Sequence, residues 1–271
     1  MGINKMDREL GRLRNLILTI CFLFICSTAF SETNHCSSAS GCWGMEYDTT
    51  TTEEDLTTNN EDLTVSASDS IPRSTDKKFG TYSRDFEADD VDFLYHADAG
   101  STDINGVDAN ITIAAWIKIE TLISGMTVAS KYNATGNQMS WLLNINDSGG
   151  NAQLQGLISS DGASTGRTIT NSGTNYVAIG GWSHVAIVYN DVDIRLYING
   201  VLANSPAAHT AGLFNSSAQF RVGARGDSSS PFDGLIDDVI IDNSALTQAQ
   251  VQEAMRCGMQ GNQCRRIIPV Q

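Results

Sequence analysis

Gly181-Trp182-Ser183-His184-Val185-Ala186-Ile187-Val188-Tyr189-Asn190-Asp191-Val192-Asp193-Ile194-Arg195-Leu196-Tyr197-Ile198-Asn199-Gly200 is the stretch whose reading decides the fold. Two runs alternate apolar and polar residues with the period of a half-buried strand, and Asn190-Asp191 between them is turn chemistry. The stretch therefore reads as a β-hairpin. Its second strand ends in Asn199-Gly200, a pair that tolerates positive φ and marks a tight turn, so a further strand is expected directly after it.

Three other segments extend the pattern: Phe86-Glu87-Ala88-Asp89-Asp90-Val91-Asp92-Phe93, Ile111-Thr112-Ile113-Ala114-Ala115-Trp116-Ile117-Lys118-Ile119, and Phe232-Asp233-Gly234-Leu235-Ile236-Asp237-Asp238-Val239-Ile240-Ile241 with Ala245 to Val251 behind it. Together with the Trp-x-His and Leu-Tyr-Ile-Asn-Gly strands, they resemble the laminin-G-like branch of the concanavalin A-like lectin/glucanase superfamily. The likeness runs from about residue 79 to 256. It implies a two-sheet sandwich that closes on a short terminal helix.

Lys5, Arg8, Arg12 and Arg14 precede an apolar run from Leu16 to Phe30, and Ala29-Phe30-Ser31 offers small residues at a cleavage position. Residues 1–31 are therefore expected to be a secretory signal, since the run is shorter than the roughly 20 residues a membrane-spanning helix needs. The alternative is an uncleaved anchor. Cys21 and Cys26 leave with the signal, so Cys36, Cys42, Cys257 and Cys264 remain, an even number suited to an oxidising compartment. Three pairings are open. The local one, Cys36 with Cys42 and Cys257 with Cys264, is preferred because each short loop brings its own thiols together. Zinc is disfavoured, as neither pair has Cys-x-x-Cys spacing.

The formal net charge is −14, and it becomes −16 once four basic and two acidic side chains depart with residues 1–31. Such a chain repels phosphate backbones and anionic lipid, which argues against nucleic-acid binding and against stable membrane insertion after cleavage. A secreted or cell-surface location is expected.

Residues 32–77 are rich in Thr, Ser, Asp and Glu and hold no Lys or Arg before Arg73. With so little apolar surface to offset chain entropy, they read as a disordered acidic stalk. The aromatic residues Trp43 and Tyr47, near the first cysteine pair, are the ones able to dock on a folded domain. That domain is expected over residues 78–256, followed by a disulfide-containing tail at 257–271. Strands are expected at 91–96, 111–119, 127–132, 139–146, 152–159, 182–189, 194–198, 219–223 and 234–242, with a helix at 247–255. Many short strands and one helix make an all-β, antiparallel two-sheet jelly-roll sandwich with one short C-terminal helix.

Glycoside hydrolysis requires two carboxyl groups facing each other across the scissile bond. The glucanase branch of the superfamily carries both on one strand as Glu-x-Asp-x-x-Glu, and this chain has no such pattern; Glu46-x-Asp48 falls in the acidic stretch and is followed by threonines. No nucleophile elbow is read either, because the one Gly-x-Ser-x-Gly match, Gly162 to Gly166, has no helical pattern behind it. His184 lacks a carboxylate placed beside it by spacing and reads as a structural histidine. No catalytic residue is assigned, and the chain is expected not to be an enzyme.

Carboxylates gather instead at Asp89, Asp90 and Asp92 and at Asp233, Asp237, Asp238 and Asp242. Calcium takes six to eight oxygen ligands, from carboxylates and carbonyls. By the resemblance, Asp237 would donate its carboxylate, with carbonyls near Gly234 and Asp89 as companions in a structural Ca²⁺ site. The competing reading is a solvated acidic edge that blocks strand-to-strand association. For a sugar ligand, the residues of suitable type are Trp141, Asn144, Asn146, Asp147, Gln155, Arg167 and Tyr176, although Trp more often fills a core and Asn or Asp more often makes turns. Arg225-Gly226-Asp227 reads as a loop. Four Asn-x-Ser/Thr sequons start at Asn110, Asn133, Asn146 and Asn215.

The expectation is an exported, non-catalytic recognition domain that binds extracellular glycan or protein through loops at one rim. Its rivals are a glycan hydrolase or lyase with an unrecognised catalytic pair, and a structural adhesin or matrix protein without a small ligand.

Overall fold

A computed structural model describes residues 36, 39–46, 51–66, 71–98 and 110–257. In chain order the strands are β1 (Gly41–Trp43), β2 (Thr52–Glu53), β3 (Leu63–Val65), β4 (Arg73–Ser74), β5 (Ser83–Phe86), β6 (Leu94–His96), β7 (Asn110–Ile119), β8 (Met126–Asn133) and β9 (Gln138–Asp147). They continue as β10 (Ala152–Ser159), β11 (Arg167–Val177), β12 (Trp182–Asn190), β13 (Asp193–Ile198), β14 (Val201–Leu202), β15 (Ala207–Ala208), β16 (Phe220–Val222) and β17 (Gly234–Asp242). One helix, Gln248–Cys257, follows.

The protein is an antiparallel two-sheet jelly-roll sandwich. The first sheet runs β14-β13-β12-β7-β17-β5-β4, with β1 added on β17 and β15 on β13, and the second runs β11-β10-β9-β8-β16-β6-β3-β2. The hairpin at 182–198 pairs Val185 with Ile198 and Tyr189 with Ile194. Asp191, at φ 63°, and the Asn199-Gly200 pair, at 51° and 73°, supply the left-handed turn residues that the sequence calls for. β14 then pairs back on β13, as expected.

Alternation explains the core. Ile111, Ile113, Ala115 and Ile117 on β7, Val185 and Ile187 on β12, and Leu143, Ile145, Leu154 and Ile158 on the second sheet point between the layers. Trp141 joins them, fully buried with its ring 5.8 Å from Phe220. The central strands of the first sheet are also buried on their outer face, where Ala114, Ala186, Val188 and Tyr197 meet Leu246 and Val251 next to and within the helix.

The described parts of the expected disordered stalk, residues 39–46, 51–66 and 71–77, are instead built into the sandwich. Trp43 fills the core, its ring 5.1 Å from Phe220 and its indole N–H donating to the Glu61 carbonyl. Glu53, 1% exposed, pairs with Arg84 on β5 at 3.0 Å. Asp55 accepts hydrogen bonds from the backbone N–H groups of Cys42, Thr57 and Glu61. Polar residues that read as solvated are thus buried against partners distant in sequence, which satisfies them. Cys36 and Cys42 form the expected local disulfide, with Cα atoms 5.6 Å apart. Tyr47, Cys264, the signal at 1–31 and the tail beyond Cys257 lie outside the described residues. No described helix is long and apolar enough to cross a membrane.

Candidate functional site

On β9 and β10, Leu143 and Leu154 face the core, so their neighbours Asn144 and Gln155 face away from it. The register places Asn144, Gln155 and Asn171 in one row across β9, β10 and β11. Asn146, Gln153 and Tyr176 form the next row, while Arg167 stands opposite Ser159 at the start of β11. Five of the residues expected for sugar binding, Asn144, Asn146, Gln155, Arg167 and Tyr176, therefore share the outer face of the second sheet. Arg167 and Tyr176 are exposed there, Asn146 and Gln155 half-buried, and Asn144 buried. Of the other two, Trp141 is a correction, being a core residue, and Asp147, exposed, closes the β9–β10 turn by accepting from Gly150 N–H at 2.6 Å.

The pairing of β10 with β11 contains the feature that shapes the site. Gln153 and Gln155 are two residues apart, yet their partners Tyr176 and Asn171 are five apart. The surplus bulges out at Ser172-Gly173-Thr174-Asn175. Gly173 adopts φ 59°, which a glycine accommodates at little cost. The bulge is braced rather than loose. Ser172 Oγ accepts from Leu154 N–H, Gly173 N–H donates to Asn171 Oδ1, and Gln153 Nε2 donates to the Gly173 carbonyl at 2.7 Å.

A second wall rises opposite, where the chain leaves β14. Asn204 Oδ1 accepts from Leu196 N–H at 2.8 Å, and its Nδ2 donates to Thr170 Oγ1. Asn175 Nδ2 reaches across to the Ala203 carbonyl at 2.8 Å. Between the walls lies an open groove of about 570 Å³, lined by residues 169–175 and 202–205. Its size falls in the range of roughly 300–1,000 Å³ usual for small-molecule sites. Leu202 on its lip is 37% exposed, leaving apolar surface open to a ligand.

Sequence reasoning misses this groove because Arg167–Val177 has no apolar alternation. The strand is an edge, exposed on both faces at most positions, and only Ser172 and Val177 are buried. The available signal is Thr168-Ile169-Thr170, a short β-branched run.

Asp237 and Asp89, two of the expected calcium ligands, lie apart along the β17–β5 pairing. β17 pairs with β5 so that Gly234 faces Phe86 and Ile236 faces Arg84; Asp237 continues in one direction and Asp89 lies the other way, exposed in a turn. Asp237 is fully buried, its Oδ2 accepting from Lys78 and Phe79 N–H at 2.8 and 3.1 Å. Asp233 accepts from Thr121 N–H, Asp92 from Glu87 N–H, and Asp242 from Ser244 N–H. These acids cap backbone amides. Among the described residues no group of three or more His, Cys, Asp or Glu is placed to hold a metal ion, while Asp237 Oδ1 is buried without a hydrogen-bond partner.

The domain's histidines have structural surroundings. His96 pairs with Glu61 at 3.0 Å, and His209 sits between Thr168 Oγ1 and the Gly212 carbonyl. His184 is buried, and loss of solvation lowers its pKa to about 3, so it is neutral. The Arg225-Gly226-Asp227 loop turns back on the sheet, Gly226 N–H donating to the Tyr132 carbonyl and Arg225 lying 5.4 Å from the Tyr132 ring.

The family model described as the concanavalin A-like lectin/glucanases superfamily, in its laminin G form, matches residues 95–252. No curated protein matches by sequence. Among solved structures, domain 4 of AbnA, an extracellular GH43 arabinanase from Geobacillus stearothermophilus in complex with arabinotriose, is similar with a TM-score of 0.61 and 19% identity, over 80% of this chain and 98% of that one. The binding domain of Paraclostridial Mosquitocidal Protein 1 follows at a TM-score of 0.60 and 18% identity, over 81% of this chain and 52% of that one. A structure of botulinum neurotoxin type C, whose cell entry depends on two ganglioside molecules, is similar at 0.57 and 14%, over 83% and 52%. The chain spans about half the length of these toxin structures. At such identities the likeness is one of fold.

Proposed function

This chain belongs to the concanavalin A-like lectin/glucanase superfamily, and from that membership we propose that it is a non-catalytic module that binds extracellular glycan in the groove between the β11 bulge and residues 202–205. The observation that carries the reading is the lining: hydroxyl and amide side chains, with Leu202 on the lip, on a braced wall. Sugars present hydroxyls that both donate and accept, and Thr, Ser and Asn do the same. Export, as the amino-terminal sequence suggests, would place such a module where glycans are. The glycan ligands named for the arabinanase domain and the type C neurotoxin support the same direction.

No pair of carboxyl groups lines the groove, which is why the proposal is binding rather than hydrolysis. The test is a glycan array with the full chain beside a Thr174→Ala, Ser205→Ala double variant. Both positions are exposed, so the fold tolerates the changes. Binding by the wild type that falls at least several-fold in the variant is expected. Silence across the array, or release of reducing sugar from any bound polysaccharide, would overturn the proposal.

A further inference from the structure

The lining of the groove carries information about the charge of its ligand. Thr170, Asn171, Thr174, Asn175, Asn204 and Ser205 supply its polar groups, and no Lys, Arg, His, Asp or Glu is among its described lining residues. A carboxylate or sulfate that enters a protein groove loses water, and a charge-assisted hydrogen bond from Arg or Lys is what normally offsets that loss. Neutral amides and hydroxyls do so less well. The whole-chain charge of −14 adds a repulsive field against any approaching anion.

Four of the six are committed to the walls, since Asn204 donates to Thr170 Oγ1, Asn175 donates to the Ala203 carbonyl, and Asn171 Oδ1 accepts from Gly173 N–H. That leaves Thr174 and Ser205 exposed on opposite walls, with Leu202 to cover the C–H surface of a ring. Resting on the glycan reading above, we infer that the groove selects neutral polysaccharide chains and rejects uronate-rich, sulfated or sialylated ones. Among the described lining residues no charged group is present to offset an anion's dehydration.

The experiment is isothermal titration of the full chain against a neutral arabinan or xylan and against polygalacturonate, at low and at physiological ionic strength. Saturable binding of a neutral polymer, little changed by salt, with at least tenfold weaker binding of polygalacturonate, is expected. Ser205→Arg should narrow that gap several-fold by supplying the missing cation at an exposed position. Tighter binding of polygalacturonate than of every neutral polymer by the wild type would overturn the inference while leaving glycan binding itself standing. Absence of binding to all polymers would remove both.

Discussion

Trp116 and His184 stand directly opposite each other on β7 and β12, edge to face with ring centroids 5.4 Å apart, and Asp237 on β17 flanks Trp116 on its other side. The segment around Lys78 and Phe79 covers the row. Lys78 Nζ lies 3.9 Å from the Trp116 ring centroid, and the Phe79 ring stands edge-on at 6.2 Å. Two titratable groups are therefore buried on the same face, separated by one indole, and their pKa values move in ways that oppose each other in the pH dependence of stability.

Burial raises the Asp237 carboxyl to about 7. The folded state then holds a proton that the unfolded chain releases near pH 4, so the contribution of Asp237 is full below about 4 and is lost as pH rises towards 7. Burial lowers His184 to about 3. Here the unfolded chain takes up a proton near pH 6.5 that the folded state refuses, and stability is lost as pH falls below that value. Between about pH 4 and 6.5 the two slopes cancel. Asp237→Asn, which keeps an acceptor for the two amides, should unmask a melting temperature that falls with acidification. His184→Gln should unmask the opposite slope. Parallel melting curves from pH 4 to 8 for all three proteins would contradict the assignment.

Glu53 and Arg84 tie the acidic amino-terminal stretch to β5. Removing one member of a buried pair strands its partner, at a cost of about 3–5 kcal/mol. Glu53→Ala is expected to lower stability by that order in urea unfolding. A change under about 0.5 kcal/mol, ordinary for a surface site, would place residues 51–66 outside the cooperative fold.

Gly234 adopts φ 131°, and a Cβ there would meet the Lys118 carbonyl oxygen and come within 2.8 Å of the Glu120 nitrogen. Backbone atoms cannot swing aside as a side-chain end can. Gly234→Ala is expected to cost at least about 2 kcal/mol, read in the same unfolding assay. Its structural task is the close approach of β17 to β7.

If Asp237 holds Ca²⁺, as the family resemblance implies, added Ca²⁺ should raise the melting temperature relative to EDTA and Asp237→Asn should abolish the rise. An unchanged melting temperature in the wild type would remove the calcium reading.

Legibility in the sequence followed burial. The hairpin at 182–198, the Ile111-to-Ile119 strand and the closing strand were readable because each alternates or runs apolar against a single core, and their register follows from turns such as Asn199-Gly200. The acidic stretch was not, because Glu53, Asp55 and Glu61 acquire their partners only when Arg84, Cys42 and His96 arrive from other elements. Outward residues Asn146, Gln155 and Tyr176 were recognisable by type. The groove was not, since a three-residue surplus between paired strands has no signature until the pairing itself is known.

The β11 bulge has an evolutionary corollary. Thr174 at its tip is exposed and takes no part in the bracing that holds Ser172 and Asn175, so mutations there escape the packing constraint that governs Ile113 or Leu143. On the proposed reading, ligand preference can be selected in a library randomised at Thr174 and Ser205 without the folding failures that accompany changes in the centre of the sandwich.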